Sequence, residues 1–244
     1  MQTAVAERFY CPQGWRNGRA TLVDDEARHL ARVARIGVGG TVGLFDGLGL
    51  EGDGEVMLVD RDRVELVVTH SRGGARDIAG TLVLAAAVPK GYRFDWLVEK
   101  ATEIGVTRLV PIVAGRSVVD PRPAKLDRLR RRVVEACKQS GRARLMDIDE
   151  PLRWQSWLES DHANVSARLI ADPGGGPIDA RFDLAAGVAI AIGPEGGFTD
   201  QEVEAAVRAG YRPVSLGPTI LRVETAAMAS CAAVVAASVT RASV

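Results

Sequence analysis

The residues best suited to chemistry sit in two glycine-rich segments of the last third of the chain. The first is Ile192-Gly193-Pro194-Glu195-Gly196-Gly197-Phe198; the second is Ser215-Leu216-Gly217-Pro218-Thr219-Ile220-Leu221-Arg222-Val223-Glu224-Thr225-Ala226. Each follows an apolar, strand-like run, so two loops are expected to meet at one sheet edge. Glycine there permits positive φ and removes the Cβ that would hold a flat ligand off the main chain. In an open parallel sheet, ligands lie beyond the carboxyl ends of the strands, where these loops would fall. Taken singly, each segment is also compatible with an ordinary tight turn. Arg222 and Glu224 leave the second loop directly, with Glu195 in the first. They read either as a structural ion pair or as catalytic groups, Arg222 stabilising negative charge while a carboxylate accepts a proton.

A second set lies after Pro89-Lys90-Gly91, on a helix that turns Phe94, Leu97, Val98, Ala101 and Ile104 to one face. Lys100 and Glu103 project from another face at i, i+3, which by default is a surface ion pair. If the apolar run 82–88 is a central strand, this helix starts at the ligand-binding edge, which makes Lys90, Lys100 and Glu103 candidates too. Gly47-Leu48-Gly49-Leu50-Glu51-Gly52 matches the dinucleotide fingerprint GxGxxG but is followed by Asp53-Gly54-Glu55-Val56-Met57-Leu58-Val59. That run reads as a strand, whereas the fingerprint needs a helix aimed at a pyrophosphate, so a hairpin turn is expected.

The elements that must position these residues fall into two regions. Residues 41–45, 54–59 and 64–69 read as short strands, giving a small β-barrel or sandwich over the first seventy or so residues. One helix interrupts it at 24–34, with Asp24 or Asp25 as N-cap and Gly37 just past its end. Ser71-Arg72-Gly73-Gly74-Ala75-Arg76 is polar and glycine-rich and reads as a linker. The expected domains are therefore 1–73 and 77–244. From there strands 82–88, 108–113, 167–171, 188–192 and 213–216 alternate with helices 94–104, 124–139, 200–209 and one after Leu221, the pattern of a largely parallel α/β sheet. Thr199 and Glu202 have capping-box spacing and Gly210 supplies a stop. The helix 223–239 is apolar nearly all round and must be buried in its domain or against a second subunit.

Composition narrows the function. The chain has 244 residues, 47% of them hydrophobic, with 31 basic and 31 acidic side chains. A core is affordable and a uniformly basic nucleic-acid binder is excluded. No apolar run reaches membrane-spanning length and the first residues lack a signal peptide's pattern, so a cytoplasmic protein without membrane contact is expected. Cys11, Cys137 and Cys231 are far apart and His29, His70 and His162 isolated, which leaves no metal-ligand spacing. Between residues 116 and 144 ten basic residues (Arg116, Arg122, Lys125, Arg128, Arg130, Arg131, Arg132, Lys138, Arg142 and Arg144) face three acidic ones. Leu126, Leu129, Val133 and Cys137 recur there at helical spacing, so this is the solvated side of a helix, with an imbalance that leans towards RNA.

Assembled, these motifs resemble the family of bacterial 16S ribosomal RNA methyltransferases that act on uridine N3, within the SPOUT superfamily. The resemblance spans nearly the whole chain. Arg8-Phe9, His29-Leu30 with Val33 and Arg35, Phe45-Asp46-Gly47, Pro89-Lys90-Gly91 and Glu99 to Gly105 carry it early. Arg116-Ser117, Glu135 to Arg142, Gly193 to Phe198 and Leu216 to Ala226 carry it later. It implies an N-terminal PUA-like RNA-binding barrel and a C-terminal SPOUT domain whose glycine loops form a trefoil knot around S-adenosylmethionine. It also implies a homodimer acting on 16S rRNA or the small ribosomal subunit. Cofactor contacts would come from Gly193, Glu195, Gly196, Gly197, Leu216, Gly217, Ile220, Leu221 and Ala226. Candidate catalytic groups are Arg222, Glu224, Lys100 and Glu103, the base being Glu103, Glu195 or Glu224. RNA contacts would be Arg8, Arg35, Lys90, Arg116, Lys138 and Arg142. Ala143 and Gly115 depart from the pattern, where asparagine and an acidic residue are usual, in the presumed RNA-facing region. The alternative reading is a non-catalytic RNA-binding ribosome assembly factor.

Overall fold

The computed structural model describes residues 7–119, 126–160, 165–178 and 181–239. Its contacts divide the chain into two compact units, residues 1–77 with 134–145, and residues 78–133 with 146–244. Residues 134–145, from the expected basic helix and the turn after it, group with the first unit.

The first unit holds β1 (Arg8–Tyr10), β2 (Trp15–Arg16), β3 (Arg19–Val23), β4 (Thr41–Phe45), β5 (Leu50–Val59) and β6 (Arg63–Gly73) in one sheet of order β1-β4-β5-β6-β3-β2. All pairings are antiparallel except β1 with β4. Alternation puts Ala20, Leu22, Val42, Leu44, Val56, Val64 and Leu66 into one core with Phe9 and Leu30. The expected linker is partly strand: β6 runs on to Gly73, with Ser71, Arg72 and Gly73 paired to Gly52, Glu51 and Leu50. Their partners on β5 supply the hydrogen bonds that the polar composition had assigned to solvent.

GxGxxG is a hairpin turn between β4 and β5, as expected. Asp46 Oδ1 accepts N–H bonds from Leu48, Gly49 and Leu50 at 2.8, 3.0 and 2.9 Å, and Gly47 and Gly49 have φ of 82° and 112°. The expected helix 24–34 needs correction at both ends. It begins as α1 (Asp24–Arg28) behind Val23, without a side-chain cap, and widens into a π-helical turn, His29–Ala34. Arg35, not Gly37, takes the left-handed exit at φ 56°, and Ile36 N–H donates to Leu30 O. That wide turn keeps Leu30 buried and packs Ile36 on the same core.

The second unit holds β7 (Leu82–Ala87), α2 (Arg93–Ile104), β8 (Arg108–Val113), the start of α3 (Leu126–Ser140), β9 (Asp147–Ile148), β10 (Leu152–Arg153), α4 (Trp154–Glu159), β11 (Ala167–Pro177), β12 (Val188–Ile192), α5 (Asp200–Arg208), β13 (Arg212–Ser215) and α6 (Val223–Val239). Every strand pair in this sheet is parallel, in the order β10-β8-β7-β12-β11-β13 with β9 beside β8. β7 and β12 are buried at every residue, as their unbroken apolar sequences require. The capping box forms: Thr199 accepts from Glu202 N–H, and the Glu202 carboxylate accepts from Thr199 N–H. β11 outruns its expected end at residue 171. Its register shifts between Ala171 and Gly176, and a Cβ on Gly175 would lie 2.5 Å from Val214 N, so only glycine fits against β13. α6 packs on α2, β7 and β12 but leaves Thr225, Ala229, Ala232 and Ala236 exposed. No helix among the described residues is long and apolar enough to cross a membrane.

Candidate functional site

The carboxyl ends of β11, β12 and β13 lie side by side, and the loops that follow enclose a cavity of about 310 Å³. All nine residues expected to hold a cofactor line it: Gly193, Glu195, Gly196, Gly197, Leu216, Gly217, Ile220, Leu221 and Ala226. Ala171, Asp172 and Pro173, at the break in β11, form a further wall that the motifs did not reveal. Their signal was positional, since β11 ends at the same sheet edge. Gly197 and Gly217 have φ of 70° and 119°. Gly193 is needed for space, because a Cβ there would lie 2.9 Å from the Phe198 ring. Main-chain groups, apolar walls from Ile192, Val214, Leu216 and Leu221, and, among the described residues, only acidic charged side chains (Asp172 and Glu195) suit a flat, nucleoside-sized ligand carrying positive charge.

The first loop is braced from behind. Arg116 Nη1 donates to Gly196 O at 2.7 Å and to Phe198 O at 3.3 Å. Glu202 accepts from Gly115 N–H at 2.7 Å with one oxygen and from Thr199 N–H with the other. Phe198 packs against Trp154 with ring centroids 4.5 Å apart. Arg116 was expected to grip RNA; in the structure its guanidinium is bound to loop carbonyls. Gly115, where an acidic side chain was expected, instead offers its backbone N–H to Glu202.

The four catalytic candidates are not gathered in the cavity. Arg222 is exposed beside it, and Lys100 and Glu103 lie along α2. Lys100 Nζ is 2.7 Å from Glu103 and 2.9 Å from Glu99, hydrogen bonds that raise its pKa and keep it an ammonium. Glu224 is buried, does not line the cavity, and meets Arg93 Nε at 3.9 Å. Of the three possible bases, Glu195 alone lines the cavity.

Among the RNA candidates Arg35 and Lys90 are exposed. Three others are turned inward. The Arg8 side chain is 10% exposed, paired with Glu51 at 3.2 Å and lying over the Phe45 ring, and burial lowers its pKa. Lys138 is 7% exposed between Glu26 at 2.5 Å and Glu135 at 2.9 Å. Arg142, 2% exposed, meets Asp77 at 3.6 Å. Ala143 is buried as well, its N–H donating to Asp77 Oδ1. Much of the basic excess is likewise spent on pairing: Arg128 binds Asp95, Arg132 binds Glu99 and Arg130 binds Asp127. Counting charges along the sequence missed this because the acidic partners of Arg128, Arg132 and Arg142 lie outside the segment. Arg122 and Lys125 lie outside the described residues.

Comparison with known proteins fits this geometry. Residues 77–235 match the family described as RNA methyltransferase domain, and residues 22–69 the one described as RNA methyltransferase PUA domain. Ribosomal RNA small subunit methyltransferase E of Synechocystis is 32% identical over 211 residues, covering 84% of this chain and 69% of the relative. The protein of that name from Mycobacterium bovis is 31% identical over 240 residues, covering 94% and 91%. Among solved structures, ribosomal RNA small subunit methyltransferase E of Neisseria gonorrhoeae bound to S-adenosyl methionine superposes with a TM-score of 0.85 at 30% identity, over 93% of this chain and 96% of that one. A putative methyltransferase of Legionella pneumophila in complex with the same cofactor gives 0.84 at 27% identity, over 95% and 98%. The chain therefore belongs to the RNA methyltransferase family that includes ribosomal RNA small subunit methyltransferase E.

Proposed function

We propose that this protein methylates N3 of a uridine in the 16S RNA of the small ribosomal subunit, using S-adenosylmethionine. The observation that carries the reading is the cavity at the ends of β11, β12 and β13, whose glycines and apolar walls fit a nucleoside and whose only charged lining groups among the described residues, Asp172 and Glu195, favour a sulfonium. When bound, the cofactor supplies an electrophilic methyl group. Main-chain groups of Gly193, Gly196, Leu216, Gly217 and Leu221 hold it. Uracil N3 is protonated and weakly acidic, so attack requires a proton acceptor and support for the anion. Glu195, in the cavity wall, takes the proton, and Arg222, exposed beside the second loop, stabilises the uracil anion.

Residues 1–73 serve as the RNA-docking domain, with Arg35 among its exposed cations, and residues 77–244 as the catalytic domain, its glycine loops threaded as a trefoil knot. The exposed alanines of α6 support a homodimer, and the substrate places the enzyme in the cytoplasm. Calorimetric titration tests the reading: S-adenosylmethionine should bind one per chain, and Ala226→Phe, which fills the cavity, should abolish binding while the far-ultraviolet circular dichroism stays native. Undiminished binding by the variant would locate the ligand elsewhere and overturn the proposal.

A further inference from the structure

We propose that Arg93 is a positioning residue that ties the two cavity loops together through one shared cation. Arg93 is the first residue of α2, and its Nη1 is 3.9 Å from Glu195 Oε1 while its Nε is 3.9 Å from Glu224 Oε1. Glu195 belongs to the loop after β12. Glu224 is the second residue of α6, which starts where the loop after β13 ends. The two carboxylates thus converge on one guanidinium from the two segments that wall the cavity. Arg93 itself does not line the cavity, so its effect on a ligand passes through the loops.

The electrostatics make the tie necessary. The Glu224 side chain is only 11% exposed, and its Oε2 is buried with no hydrogen-bond partner among the described residues. A carboxylate so poorly hydrated depends on a nearby cation, and without one it would face a second negative charge from Glu195. The like charges would then push the loops apart. Arg93 is well anchored for the role. Its neighbours Phe94, Leu97 and Val98 are buried, Asp95 is bound by Arg128, and α2 packs along α6. A guanidinium with donors at both Nε and Nη1 can address two carboxylates from one position, which an ammonium does less well.

The inference rests on the cavity being the S-adenosylmethionine site, and its test separates the two claims. S-adenosylhomocysteine is the better probe, because its uncharged sulfur does not respond to the exposure of Glu195 when Arg93 is removed. Calorimetry on the wild type comes first: binding of neither S-adenosylmethionine nor S-adenosylhomocysteine would sink the functional reading and the clamp with it. Given wild-type binding, Arg93→Met should weaken S-adenosylhomocysteine about tenfold, and Arg93→Lys, which keeps the charge but not the fork, should recover only part of the loss. Adding Glu195→Gln to Arg93→Met should recover part of the affinity, since it removes the repulsion while Glu224 still lacks its cation; a residue that merely supports the fold would show no such rescue. Amide exchange should rise in both 193–198 and 216–222 in Arg93→Met. Affinity within about twofold of wild type, or faster exchange in only one loop, overturns the proposal.

Discussion

Gly193→Ala probes why the first loop contains glycine at that position. A Cβ there would sit 2.9 and 3.1 Å from Cδ2 and Cε2 of Phe198 and 3.1 Å from its backbone nitrogen. Gly193 does not have a positive φ, so alanine costs nothing in backbone conformation and everything in space. Phe198 cannot easily yield, since it is 7% exposed and packed on Trp154. Overpacking of this kind costs about 1–3 kcal/mol. Phe198→Leu gives the methyl room, at a cost of about 1 kcal/mol for the lost aromatic contact. The double variant should therefore be more stable than the sum of the single losses by about 1 kcal/mol. Gly197→Ala is the control: its φ of 70° makes alanine cost about 1–2 kcal/mol, but nothing lies within 4 Å, so it should not couple to Phe198→Leu. Urea denaturation followed by circular dichroism measures all five variants. Additivity of Gly193→Ala with Phe198→Leu to within about 0.5 kcal/mol would refute the steric argument.

Two further predictions concern the core and the assembly. Burial pushes the Cys137 thiol up to about 11 and the Cys231 thiol up to about 12 from 9.0. Both should resist iodoacetamide at pH 8 until the chain unfolds, and rapid labelling of the native protein would contradict their burial. Because the folded values lie above the unfolded ones, these thiols contribute full stability below pH 9. Above it the loss should approach about 1.4 kcal/mol per pH unit for each thiol, up to its folded value. Urea midpoints at pH 8 and 10.5 should show the fall, and Cys231→Ala should lessen it; identical midpoints would refute the sign. For the assembly, light scattering should report about twice the single-chain mass, and Ala232→Arg on the exposed face of α6 should give monomers. A monomeric wild type would remove the dimer from the account.

Legibility in the sequence followed the range of the interactions. β8, β12 and α6 appear at their expected residues because apolar runs and flanking turns define them locally. The two loops of the cavity were legible because glycine and proline punctuate segments that parallel topology must bring together, while their individual contact residues came from the family resemblance. What escaped depended on partners far along the chain. α4 is only six residues, and its Trp154 and Trp157 form a core contact rather than a periodic stripe. The π-helical turn at His29–Ala34 arises from packing Leu30 and Ile36 on the first unit's core, which no cap residue announces. Arg8, Lys138 and Arg142 look like solvent-facing cations until Glu51, Glu26 and Asp77 are placed beside them. Arg93 belonged to no motif at all, and only the fold brings Glu195 and Glu224 to it.

Methyl transfer to ribosomal RNA is the decisive assay. Small ribosomal subunits lacking their native uridine methylation would be incubated with this protein and methyl-labelled S-adenosylmethionine, and the RNA digested to nucleosides. Label is expected in N3-methyluridine of 16S RNA. Label in a different nucleoside, or none from a protein that binds the cofactor, would contradict it.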